Sequence, residues 1–251
     1  MVNKSIGIFD SGLGGISVLN RCIELLPHEN FIYFADKVHA PYGDKSTDDI
    51  ILFIKEIMDD FFLKQDVKAI VIACNTATNA AIDILRKEYD IPIIGIEPAI
   101  KSALMENDEG TTLVLATEST IMSEKFVNNL SKYDNGNCIK YGCSGLVELN
   151  ESNNMDCVVK YLKDKFDKTD KTSIDSVVLG CTHYPFIKKE ILVALDRDVR
   201  FYDGGEGVAR RLKQVLCDEG IKSMRKEKGS ISVYSSSDEI YNNFLKSYIE
   251  V

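Results

Sequence analysis

Two cysteines carry the chemistry that this sequence can perform. Cys74 closes the apolar run Ala69-Ile-Val-Ile-Ala73 and is followed by Asn75-Thr76, and Cys181 closes Val177-Val-Leu-Gly180 and is followed by Thr182-His183. Each sits just ahead of a stretch of helical character. A thiolate is stabilised at a helix N-terminus by the dipole and the free N–H groups. The polar residues that follow supply hydrogen bonds for a carboxylate or an amino group. Cys181 with nearby His183 also allows a cysteine hydrolase, since such pairs activate thiolates. That reading leaves Cys74 without a role, and a base two residues away on one turn is poorly placed to face the nucleophile.

Strand ends must position these residues. Short apolar runs alternate with amphipathic stretches. Ile6 to Phe9 reads as a strand, Ile16 to Leu26 as a helix closed by Pro27, and Phe31 to Phe34 as the next strand. A helix starts near Thr47, with Ser46 as N-cap and Asp48 and Asp49 in its first turn. Its apolar residues, from Ile50 to Phe62, keep the 3.6 period. Ala69 to Ala73 is an apolar strand, a helix runs on to about Tyr89, and Ile91 to Ile94 is another strand. Strands that are apolar on both faces and separated by helices indicate α/β architecture with a covered parallel sheet.

Laid on itself at an offset of 107 residues, the chain superposes three strands. Ile6 to Ser11 falls on Leu113 to Glu118, Ile70 to Thr76 on Val177 to His183, and Ile93 to Ile96 on Arg200 to Asp203. Three strands at one offset predict two similar parallel-sheet α/β domains related by an internal repeat. The halves run over 1–97 and 98–206. The tail from 207 reads as helix (Val208 to Cys217), strand (Ile231 to Tyr234) and helix (Asp238 to Ile249); it could pack on either half, and is grouped with the first. Ligand sites of open α/β sheets lie beyond the carboxyl ends of the strands. That puts Asp10, Ser11, Cys74 to Thr76, Thr117 and Cys181 to His183 at their rims, with the two cysteines expected on opposite sides of a shared cleft. The Lys/Asp run from Lys160 to Lys171 reads as a solvated helix face and its loop.

Composition narrows the classes. The 251 residues are 45% hydrophobic, enough for a packed core, and carry a formal net charge of −9. An acidic balance argues against nucleic acid as partner. Seven cysteines without a CxxC pair argue against a disulfide framework or a structural zinc. Beyond the matched pair, Cys22, Cys138, Cys143, Cys157 and Cys217 read as packing residues. No signal segment and no membrane-spanning run is apparent, so a cytoplasmic protein with reduced thiols is expected. The Gly-rich turn Asp10-Ser-Gly-Leu-Gly-Gly15 superficially suggests a dinucleotide fingerprint, but Ser17 occupies the last glycine position and Asp10 would face the pyrophosphate. Its glycines are better suited to a close backbone approach to a small anionic ligand.

Asp10-Ser-Gly-Leu-Gly-Gly15, Pro41-Tyr-Gly43, Cys74-Asn-Thr76, Gly95-Ile-Glu-Pro98 and Gly180-Cys-Thr-His-Tyr-Pro185 resemble the signature blocks of the glutamate racemases. These are two-cysteine enzymes that need no cofactor and supply D-glutamate for peptidoglycan. The blocks keep the family's order and similar spacing from residue 6 to about 210, and Tyr202 to Glu206 and Ser235 to Asp238 also look familiar. The resemblance implies a mechanism that the residues can support. An α-proton is weakly acidic, so racemisation needs a base on one face and an acid on the other, and a thiol with a reference pKa of about 8.5 can serve as either. By this resemblance Cys181 takes the proton from L-glutamate and Cys74 delivers one to the opposite face, with reversed roles for D-glutamate. Asp10 and His183 match positions that tune the thiols. Ser11, Pro41, Tyr42, Gly43, Asn75, Thr76, Thr117, Thr182 and His183, with Asp10, match positions that hold the substrate. The resemblance implies a homodimer.

The sequence departs from the family at one point. Where the family carries Pro-Leu-Val-Glu, this chain reads Cys143-Ser-Gly-Leu-Val-Glu148-Leu-Asn-Glu151. Glu151 falls at the family's glutamate, while Glu148 replaces the proline and competes for the role. His39 reads as a rim residue, and Asp36 as an auxiliary acid or a loop cap. Two rivals are an aspartate racemase of the same superfamily and a non-catalytic amino-acid-binding protein. Binding alone needs neither thiol.

Overall fold

A computed structural model of the chain describes residues 2–106, 110–134 and 136–250. In chain order it runs β1 (Ile6–Asp10), α1 (Ile16–Leu25), β2 (Phe31–Ala35), α2 (Thr47–Ile57), β3 (Ala69–Ile72), α3 (Asn75–Glu88) and β4 (Ile93–Gly95). There follow α4 (Ile100–Glu106), β5 (Thr111–Ala116), α5 (Glu118–Met122), α6 (Glu124–Ser131), β6 (Cys138–Gly142), α7 (Leu146–Glu151) and α8 (Met155–Lys165). The remainder is β7 (Ile174–Gly180), α9 (Lys188–Leu195), β8 (Arg200–Asp203), α10 (Gly205–Asp218), β9 (Ile231–Ser235) and α11 (Glu239–Lys246). The expected elements are present with ends moved by one to three residues. Ser46 caps α2, its hydroxyl accepting from Asp49 N at 3.1 Å. Past Ile57 the helix widens into a π turn over Met58–Phe62. The Lys160 to Lys171 run lies on the exposed end of α8 and its loop, where Lys160 pairs with Asp164 at 2.9 Å.

The chain forms two compact units, one built from the residues up to Ile96 with those from Gly205 on, the other from Glu97–Gly204. The first holds a five-stranded parallel sheet ordered β4-β3-β1-β2-β9, and the second a four-stranded parallel sheet ordered β6-β5-β7-β8. In the first, Phe9, Ile70 and Ile72 pack against Ile50 and Ile54 of α2 and Ala77, Ala81 and Leu85 of α3. In the second, Leu113, Leu115, Val177 and Leu179 face α7, α8 and α9, while Val114 and Val178 face α4 and α6. Both faces of each central strand are thus covered, which is why these runs are apolar throughout.

Strand pairing refines the repeat. Read from the other edge, the second sheet runs β8-β7-β5-β6 and matches β4-β3-β1-β2. Phe31 falls on Cys138 and Ala69 on Ser176, both at an offset of 107, but pairing carries Ile6 onto Thr112, an offset of 106. Ser11 therefore corresponds to Thr117 and Asp10 to Ala116, not Ser11 to Glu118 and Asp10 to Thr117 as the single offset predicts. A one-residue slip between strands is invisible to an ungapped overlay.

Candidate active site

The first half-site lies at the carboxyl ends of β1, β2 and β3. Asp10, wholly buried, accepts from Gly12 N at 2.9 Å and so closes the turn into α1. Gly15 of the turn serves packing: a Cβ there would lie 2.5 Å from Cβ of Asp10 and 2.8 Å from the Tyr33 hydroxyl. That hydroxyl donates to Gly12 O at 2.5 Å. Cys74 is the N-cap of α3, its sulfur accepting from Ala77 N at 3.5 Å with Ser11 Oγ 3.7 Å away. The helix end offers the sulfur an N–H donor and a favourable dipole. Asn75 beside it is 5% exposed, and its Oδ1 is buried without a hydrogen-bond partner. Thr76 is buried on the same turn. The segment Pro41, Tyr42 and Gly43 follows a cis Ala40–Pro41 peptide, and Tyr42 donates its hydroxyl to Asp36 at 2.7 Å. Burial, reinforced by the Asp36 carboxylate, pushes the Tyr42 phenol far above its ordinary range, so it stays protonated. His39 stacks on Phe53, with ring centroids 3.8 Å apart.

The second half-site lies past β5 and β7 and is built differently. Cys181 does not cap an α-helix: a short 3-10 turn, Tyr184–Ile187, intervenes before α9 begins at Lys188. Its sulfur meets an imidazole instead, with His183 Nδ1 at 3.9 Å. A turn closed by Tyr184 N donating to Cys181 O at 3.1 Å holds the two side chains on one side. On the far side of the ring, His183 Nε2 lies 2.9 Å from Glu151 Oε1. Glu151, at the end of α7, is therefore the carboxylate on the histidine, and Glu148 is not. Asn150 holds the histidine's backbone, donating from Nδ2 to His183 O at 2.8 Å. Thr117 caps α5, accepting from Thr120 N at 3.2 Å, and Thr182 is buried beside Cys181.

Burial opposes a charge on His183, but the Cys181 sulfur and the Glu151 carboxylate on its two nitrogens outweigh that and lift it to about 10. In the unfolded chain the imidazole returns to about 6.5. The raised value contributes stability in full below pH 6.5 and loses it as pH rises toward 10. Thermal unfolding followed across that window should therefore show a steeper decline for the wild type than for His183→Asn. Parallel declines would show that His183 does not hold the extra proton.

Burial holds three other thiols neutral, Cys22, Cys138 and Cys143 being raised to about 12. Cys157 and Cys217 are exposed and do not pack, contrary to expectation, because each lies on the solvent face of its helix. Among the described residues no group of three or more His, Cys, Asp or Glu has the arrangement of a metal site, and no helix is long and apolar enough to cross a membrane. Sequence reasoning missed Asn150, whose signal was only its place beside Glu151, and Tyr33, which reads as plain core. The Ser235 to Asp238 stretch looks familiar in sequence but assigns no role to Ser236, whose hydroxyl donates to Asp36 at 2.9 Å.

Two parallel α/β units, each with a thiol at the same strand end, fit the class of racemases that work with paired thiols. The model of the Asp/Glu/Hydantoin racemase family matches residues 6–212, and the chain belongs to that family. A glutamate racemase of Clostridium kluyveri is 43% identical over 243 residues, covering 95% of this chain and 94% of the relative. Another, of Clostridium acetobutylicum, is 44% identical over 238 residues, covering 93% and 92%. Among solved structures, glutamate racemase from Escherichia coli, in complex with L-glutamate and the activator UDP-MurNAc-Ala, superposes with a TM-score of 0.85 at 28% identity, covering 98% of this chain and 95% of that one. The Francisella tularensis enzyme in complex with D-glutamate gives 0.82 at 29%, covering 100% and 95%. Aspartate racemase from Picrophilus torridus gives 0.56 at 16% identity, covering 85% and 94%, which shows a shared fold alone.

Proposed function

We propose that this protein interconverts L- and D-glutamate without a cofactor, Cys181 and Cys74 exchanging protons with opposite faces of Cα, and so supplies D-glutamate for peptidoglycan. One observation carries the reading: two strand-end thiols stand at corresponding positions of the repeat, each beside groups that stabilise negative sulfur. For L-glutamate, the Cys181 thiolate forms an S–H bond with the α-proton as the C–H bond breaks. The Cys74 thiol then gives its proton to the other face. Cys181 ends as thiol and Cys74 as thiolate, the state that accepts D-glutamate. His183 and Glu151 support the charge on Cys181. Asp10 and Ser11 tune Cys74. The unpartnered Oδ1 of Asn75 suits the substrate ammonium. The hydroxyls of Ser11, Thr76, Thr117 and Thr182, with the Pro41 to Gly43 segment, suit its carboxylates.

The test is formation of D-glutamate from L-glutamate, with no PLP or metal added, accompanied by deuterium wash-in at Cα from D2O. Failure of exchange with both glutamate enantiomers would end this reading, and exchange with aspartate in its place would move the chain to the aspartate racemases. We also infer a cytoplasmic homodimer, on the resemblance to the family. Sedimentation as a monomer at assay concentrations would remove the dimer.

A further inference from the structure

Just past β2 the carboxylate of Asp36 has no exposed surface, and three side chains converge on it. Tyr42 donates its hydroxyl to Oδ2 at 2.7 Å, Ser236 donates to Oδ1 at 2.9 Å, and His39 Nδ1 lies 2.8 Å from Oδ2. Ser236 arrives from the connection between β9 and α11, 200 residues along the chain. Its Oγ accepts from Val38 N at 2.9 Å and its N–H donates to Ala35 O, extending the β2–β9 pairing by one residue. A buried carboxylate is costly unless donors surround it, so these contacts order the whole turn from Asp36 to Gly43.

The repeat supplies an internal control. The residue of the second unit that corresponds to Asp36 is Cys143: its N–H donates to Ala116 O, as Asp36 N donates to Asp10 O. There a neutral thiol, donating to Tyr141 O at 3.5 Å, stands in place of the carboxylate. The fold therefore does not require a buried acid at this strand end. What the first unit has in addition is the segment 41–43.

We propose that Asp36 and Ser236 are positioning residues that hold this segment in shape for the substrate, Ser236 fixing Asp36 and Asp36 fixing Tyr42. The C-terminal β9–α11 connection is then part of the active-site frame. The proposal rests on the glutamate reading above for what the segment binds. It also gives Tyr42 a specific part: its hydroxyl hydrogen is committed to Asp36, so the phenol is an anchor for the loop and not a donor to substrate carboxylate.

The experiment compares wild type, Ser236→Ala and Ser236→Thr in amide hydrogen exchange and in steady-state kinetics. Removing a hydrogen bond to a charged group should speed exchange across residues 42–45 about tenfold and raise KM for both enantiomers about tenfold, with kcat held within about twofold. Ser236→Thr, which keeps the hydroxyl, should restore both. Unchanged exchange in Ser236→Ala overturns the proposal, as does a fall in kcat with KM untouched. Should Ser236→Ala fail to fold, Asp36→Asn, which keeps the shape, carries the same expectation. A wild type inert toward glutamate overturns the functional reading alone, and the exchange result then decides the positioning role by itself.

Discussion

Cys181→Ser and Cys74→Ser should each lower racemisation in both directions by about 10²–10⁴-fold, the range that a positioned acid or base contributes. A serine hydroxyl at either place is far harder to ionise than a thiol and is a poor base, although it fits the same space. The diagnostic detail is the asymmetry of what survives. In Cys181→Ser the remaining thiol can still exchange the α-proton of D-glutamate, because Cys74 works on that face by itself. Deuterium should then enter D-glutamate without inversion, and L-glutamate should stay unlabelled. Cys74→Ser should show the mirror pattern. Full racemisation by either single variant would dispose of the two-thiol scheme. Identical labelling of both enantiomers in one variant would mean that each thiol reaches both faces.

The second large effect concerns stability. Lys68, with its side chain 0% exposed, sets its ammonium 2.6 Å from Glu29 Oε2 and 2.8 Å from both Val2 O and Ile221 O. All three ammonium hydrogens are engaged. Glu29 Oε1 accepts from Ser223 N at 2.6 Å, so the pair ties the segment after α10 to the amino ends of β2 and β3. Lys68→Met fits the space but leaves Glu29 as a buried carboxylate without its counter-ion. The expected loss is about 3–5 kcal/mol, or roughly 10 °C in the unfolding midpoint for a chain of this size. Adding Glu29→Leu should recover part of that loss, because the uncompensated charge, not the missing attraction, is the main cost. A loss below about 1 kcal/mol in Lys68→Met would mean that solvent reaches Glu29.

Much of this was legible in order and spacing. Apolar runs such as Ala69 to Ile72 announce strands covered on both faces, because only burial on two sides excludes polar residues from every position. The Ser46 cap is local, and the sequence contains all of it. Chain reading prefers Glu151 to Glu148 because it falls at the family's glutamate, while both lie on α7. The imidazole ring, 2.9 Å from Glu151, decides between them. The contact of Cys181 with His183 could not be read from their two-residue separation. Separation along the chain says nothing of how sharply a turn bends.

The sequence by itself determined the α/β class, the repeat, and the two thiols that the repeat matches. These are properties of apolar periodicity and of like residues at nearly equal spacing, both of which survive without coordinates. Tertiary structure decided the rest. Cys74 heads a helix as its sequence predicts, but the fold set Cys181 against a histidine instead, an unlike way to stabilise negative sulfur at the same topological position. It slipped β5 by one residue, so that Ala116 stands where the first unit has Asp10. It joined Ser236 to Asp36 across 200 residues. Hydrogen bonds between distant segments depend on register and bend, and a linear pattern carries neither.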